Sequence, residues 1–190
     1  MLRSLPALAA LAVATPPLAA QVGLASSTQT VVLTAAKQGS VRVALPGGSA
    51  ATLAGSLGLG PNDFAPVAIE TTWDLDPSVT SAVSLVAYFP VPAAAFTGAG
   101  TAIPSSAVSA RVPSAGQPGF APFTGAAVGA GNASAGVTGG TVLLFSQPVT
   151  AGGATGTRTD QLQVRLDLTG WTALPPGPYQ GTLNLLAITQ

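Results

Sequence analysis

The sequence predicts an all-β fold, an immunoglobulin-like antiparallel β-sandwich of about seven to nine strands. Three observations carry this. Residues 160–168, Asp-Gln-Leu-Gln-Val-Arg-Leu-Asp-Leu, alternate polar and apolar without a fault from Gln161 onward. That period puts Leu162, Val164, Leu166 and Leu168 on one face and Gln161, Gln163, Arg165 and Asp167 on the other. Turn-forming Pro, Gly, Asn and Asp recur between apolar runs along the chain. Beyond residue 20 no stretch keeps the 3.6-residue period of an amphipathic helix. A strand with one wet face belongs to an antiparallel sheet, and two such sheets bury their apolar faces against each other.

Residues 1–20 read as a secretory signal peptide. Arg3 is the positive start, residues 5–13 the apolar run, and Leu18-Ala19-Ala20 the small-residue cleavage site. The run is too short to span a bilayer, and no later run is long enough either. The expected organisation is a signal peptide over 1–20 and a single β-sandwich domain over 21–190, with a loop-rich insertion at 90–140.

Residues 29–37 form the first expected strand, with Val31, Leu33 and Ala35 on one side. Residues 40–45 form the next: Val41, Val43 and Leu45 alternate with Arg42 and Ala44. Pro46-Gly47-Gly48-Ser49 ends this hairpin. Residues 50–59 fit a short strand or a helical turn equally, and Pro61-Asn62-Asp63 reads as a turn. Residues 66–76 are a strong strand: Val67, Ile69, Thr71, Trp73 and Leu75 face the core, and Glu70, Asp74 and Asp76 mark the wet side. After the turn Asp76-Pro77-Ser78, residues 81–89 are expected to pair back, with Val83, Leu85, Ala87 and Phe89 inward and Ser84, Val86 and Tyr88 outward. The stretch 90–140 is rich in Gly, Ala, Pro and Ser and holds one charge, Arg111. It is either a long loop or a loop carrying weak edge strands, with 107–112 as one such strand and Phe120 and Phe123 as anchors. Residues 141–147 resume clear strand character, and 150–157 are a Gly-rich link to a C-terminal pair, 160–168 and 179–188.

The segment Leu174-Pro175-Pro176-Gly177-Pro178-Tyr179-Gln180-Gly181-Thr182-Leu183 resembles the L-P-x-G-x-Y-x-G-T hairpin that closes bacterial secreted immunoglobulin-like domains, among them spore-coat-U-like, chaperone–usher pilin-like and BACON-type modules. Gly177 suits a tight turn, Tyr179 a plug at the end of the core, and Gly181 a close neighbour. The resemblance implies a sandwich more firmly than an activity. Pilin-type domains often carry a disulfide, which a chain without Cys lacks. Residues 25–36 alternate well enough to be a donor strand or the first strand of the chain's own sheet.

Composition narrows the function classes. Charged residues are 6% of the chain, six basic and six acidic. Without Arg3 the count is five against six, a net charge of −1. No basic patch is present for nucleic acid, and no basic amphipathic helix for a membrane surface. His and Cys are absent, which removes the commonest general base and the usual ligands of zinc, copper and haem, so no cofactor is expected. Lys37 is the one lysine and sits in no S-x-x-K setting for a Ser–Lys pair. Asp63, Glu70, Asp74 and Asp76 are the only acidic cluster, read as a solvated strand face rather than a calcium site, since no D-x-D-x-D-G loop is present. Asn132-Ala133-Ser134 matches a glycosylation sequon by chance occurrence. Trp73 and Tyr179 are assigned to packing, which leaves Tyr88 and Trp171 as candidate ligand contacts. The expectation is a secreted, non-catalytic structural or adhesive protein of the cell surface or an extracellular assembly. Its expected partners are copies of itself or other cell-surface subunits. A carbohydrate-binding module that takes polysaccharide is the alternative, and an enzyme a remote one. Residues 183–188 motivate the first: Leu183 and Leu185 share one face, Leu186 and Ile188 the other, so both faces ask for cover.

Overall fold

The computed structural model describes residues 39–53, 55–78, 82–130 and 133–190. The signal peptide expected at 1–20, the strand expected at 29–37, the alternation at 25–36 and Asn132 lie outside the described residues. Among those described, thirteen strands run in order: β1 (Ser40–Ala44), β2 (Pro61–Asp63), β3 (Val67–Asp74), β4 (Ala82–Tyr88), β5 (Phe96–Gly98), β6 (Thr101–Ile103), β7 (Val108–Arg111), β8 (Ala121–Pro122), β9 (Val128–Ala130), β10 (Ala133–Ala135), β11 (Thr141–Pro148), β12 (Thr155–Asp167) and β13 (Asn184–Thr189). Nine of them build two antiparallel sheets. One has the order β1-β3-β12-β7-β8 with β2 also on β12, and the other the order β11-β4-β13. The remaining four make two small hairpins, β5–β6 and β9–β10. The chain is an all-β sandwich, as its alternation predicts.

β12 organises the larger sheet. Its thirteen residues pair with β3 over Thr155–Leu162 and with β2 over Arg165–Asp167, while β7 takes Gln163–Leu166. Leu162, Val164, Leu166 and Leu168 are buried, facing the core formed with Val83, Leu85, Ala87 and Phe89 of the other layer. Strand order runs five residues further back than the alternation at 160–168 suggests, because Thr155, Thr157 and Thr159 suit a pleated surface and the glycine between them has a cross-strand use.

Four expectations are corrected. Residues 82–88 do not pair back on β3; β4 crosses to the second sheet and lies between β11 and β13. The chain after β3 therefore passes to the other layer rather than to a neighbouring strand. Ser84 and Val86, expected outward, are buried as well as Val83, Leu85 and Ala87. The cause is the insertion. Gly125 bonds Thr141 beside Tyr88, and the Gln190 side chain donates to Gly129 O (3.2 Å) at the opposite end of the sheet. The β9–β10 hairpin thus runs over the outer side of β4. Third, β12 and β13 are not a pair: the Pro-rich connection carries the chain from one sheet to the other. Fourth, Pro61–Asp63 is a short strand on β12, not a turn; Asn62 bonds back to Gly58 and Gly60 and so organises the loop before it.

The stretch 90–140 holds β5 to β10, and 107–112 contains β7 as expected. Phe123 is fully buried against Phe89, with ring centroids 4.9 Å apart. The C-terminal motif behaves locally as its residues suggest. Tyr179 packs against the core and its hydroxyl donates to Pro175 O at 3.0 Å. A Cβ at Gly181 would overlap the Ala95 carbonyl, so only glycine lets the two segments meet.

Candidate functional site

Tyr88 and Trp171 are not brought together. Tyr88 sits half-buried on the outer side of β4, opposite Thr141 and Asn184. Trp171 is half-buried on the connection after β12, packed against the core, with its backbone N–H on Leu168 O. Neither lines the main cleft.

The four carboxylates are also separate in role. Asp63 holds the Arg165 guanidinium through both oxygens, at 2.7 and 2.9 Å. That bond holds the Asp63 carboxyl below its ordinary value of 3.8, with burial opposing weakly, and it raises Arg165. Asp76 is lowered by hydrogen bonds from the Ser78 hydroxyl and amide in an Asx turn. Asp167 is lowered in the same way by Thr169. Among the described residues no three acidic groups converge as cation ligands.

Arg165 also lies over Phe120, its Cζ 4.2 Å from the ring centroid, and Arg111 lies 4.6 Å from it. Arg111 is held by Gln163 Oε1 (2.8 Å). These contacts use the ring for packing, so it is no open platform for a ligand.

A second polar cluster closes the side of the sandwich between β12 and β11. Arg158 and Asp160 share the inward parity of Leu162. Asp160 is 3% exposed. It accepts from Arg158 Nε at 2.6 Å and from the Ser114 hydroxyl. Arg158 stacks on Phe145 of β11, 4.5 Å from its centroid. A Ser hydroxyl on a carboxylate that is already paired with a guanidinium has no strong base to take its proton, so this cluster fits a seal rather than a nucleophile.

A cleft of about 650 Å³ lies at one end of the sandwich. Residues 49–53 with Gly55 and Leu57 form one wall and 177–181 the other, with Phe64, Phe96 and Leu166 at its floor. The β12–β13 connection is pinned there by paired backbone bonds between Thr97 and Gln180, at 2.9 and 3.0 Å. Phe64 stacks on Phe96 with centroids 5.6 Å apart and an angle of 22°. Among the described residues no charged side chain lines the cleft. Sequence reasoning missed it because its walls come from residues more than a hundred apart. The available signals were the ambiguous, charge-free stretch 50–59 and the resembling hairpin motif, which end up facing each other. No family profile matches the chain, and no curated protein matches it.

Proposed function

We propose that this chain is a secreted, non-catalytic structural or adhesive protein that acts by contact with copies of itself or other subunits of an extracellular assembly. The observation that supports this is a row across the outer side of the β11-β4-β13 sheet. Leu143 and Leu186 stand opposite Val86 on its two sides, and they are 42% and 40% exposed. Exposed leucines on both flanks of a covered strand are apolar surface that association would remove from water. The leader-like residues 1–20 and the resemblance of 174–183 to secreted sandwich domains support the same reading. Light scattering on the processed protein at rising concentration is the test. The weight-average mass should rise, and Leu143→Ser with Leu186→Ser should return it to the monomer. A monomer at every concentration would end the reading.

Polysaccharide binding is the second reading. It is favoured by the uncharged, aromatic-floored cleft rather than by Tyr88 or Trp171.

A further inference from the structure

We infer that the cleft between residues 49–53 and 177–181 is a binding site for an uncharged sugar ring. This rests on the second reading above and gives it a place; it is independent of the leucine row.

Size comes first. The cleft holds about 650 Å³, inside the range in which small-ligand sites fall. Charge comes next. A phosphate, uronate or ammonium group moved into it would leave water and meet no counter-charge, because every lining side chain is neutral. The ligand is therefore neutral.

The floor then selects shape. Phe96 is buried and backed by Phe89, 6.0 Å away, so the half-exposed Phe64 is the ring a ligand meets. An aromatic face carries partial negative charge and attracts C–H groups with partial positive charge. One face of a pyranose presents such C–H groups in a plane, and its hydroxyls point outward around the rim. The rim of this cleft supplies what those hydroxyls need. The side chains of Ser49, Thr52 and Gln180 are exposed and bonded to no other group among the described residues, while the Thr52 carbonyl and the Gln180 backbone are already used in holding the walls. A hydroxyl or amide left free beside an aromatic floor gives direction to a polar ring and nothing to a hydrocarbon.

The rival occupant is an acyl chain. An apolar hollow of about 340 Å³, lined by Leu162, Val164 and Leu185, adjoins the cleft behind Phe64 and Phe96. A chain entering it passes Ser49 but leaves Thr52 and Gln180 unused, whereas a sugar uses floor and rim together.

The test is a titration of ¹⁵N-labelled processed protein, followed by amide shifts. The probes are methyl glucoside, methyl mannoside and N-acetylglucosamine, with galacturonate as the charged control and laurate as the apolar one. At least one neutral sugar should move the Ser49, Thr52 and Gln180 amides with a Kd near 1 mM, on the order expected for a single ring. Galacturonate should bind at least about tenfold more weakly. Phe64→Leu keeps the apolar bulk but removes the ring, and should weaken binding about tenfold. Thr52→Ala and Gln180→Ala touch no core residue and should each weaken it while leaving the rest of the spectrum in place. Tyr88→Ala and Trp171→Ala should leave the affinity unchanged. If sugars bind but the shifts map to Tyr88 or Trp171, the site is wrong and the polysaccharide reading stands. If no neutral sugar produces shifts, or only laurate does, both fall.

Discussion

Trp73 and Gly156 face each other across β3 and β12, and the pair shows how one residue's absence of a side chain is used. The indole lies over the glycine and its Nε1–H donates to Gly153 O at 2.9 Å. A Cβ at position 156 would overlap the indole ring atoms Cζ2 and Cε2. Gly156→Val gains strand propensity, worth up to about 1 kcal/mol, but overpacking costs about 1–3 kcal/mol. The overlap should win, so the urea midpoint should fall with the slope unchanged. An unchanged midpoint would mean that the indole has room to move. Thr71 predicts the opposite sign. It is fully buried beside Arg158 in register, and its hydroxyl has no hydrogen-bond partner among the described residues. An unpaired buried hydroxyl costs about 1–3 kcal/mol, and valine has the same shape without it. Thr71→Val should raise the urea midpoint by an amount corresponding to about 1 kcal/mol or more. A lower midpoint would show that the hydroxyl is satisfied in solution.

At the scale of single strands, alternation was legible wherever one face met water. The inward sets of β3 and of β12 from Leu162 onward could be read directly, because each charge on the opposite face marked the wet side. β4 was legible as a strand but not as one covered twice, since Ser84 and Tyr88 look like an outer face until the β9–β10 hairpin is laid over it. Arg158 and Asp160 were legible in parity but not in partner: Ser114 and Phe145 reach them from distant segments. The pairing of β2 with β12 carries a pH prediction. Asp63 is held below 3.8 in the folded protein by Arg165, so its bridge stabilises the fold above the unfolded value and is lost as pH falls through the lower, folded value. Both partners are substantially exposed, so the contribution is small and screened. Urea midpoints of the parent and of Asp63→Asn should differ slightly near pH 7 and converge below pH 3.8. A difference that persists in acid, or that 1 M salt leaves unchanged, would show that the substitution acts through something other than charge.

Across the whole molecule, what sequence could not show is which strands meet. Residue patterns report local period and wet face; they do not report that β3 and β4 part company or that β12 and β13 end in different sheets. The reason is that both sheets are built almost wholly from distant segments: Asp63 meets Arg165, Val67 meets Leu162, and Tyr88 meets Asn184. The two stable neighbours of β4 and the central strand of the larger sheet all come from the last third of the chain. The same placement decides how the protein folds. Loop closure must precede the contacts that reward it, so a chain of this topology belongs with the slow all-β folders, in the range of milliseconds to seconds. It follows that a chain ending at residue 154 lacks β12 and β13, leaving β3 and β4 each with one partner strand and β7 with no strand to join it to β3. Such a chain should lack protection from limited proteolysis, while stopped-flow refolding of the intact processed chain should take milliseconds or longer. Refolding within microseconds, or a protease-resistant 154-residue fragment, would mean that local pairing drives the fold after all, and that the distant pairs only decorate a core already formed.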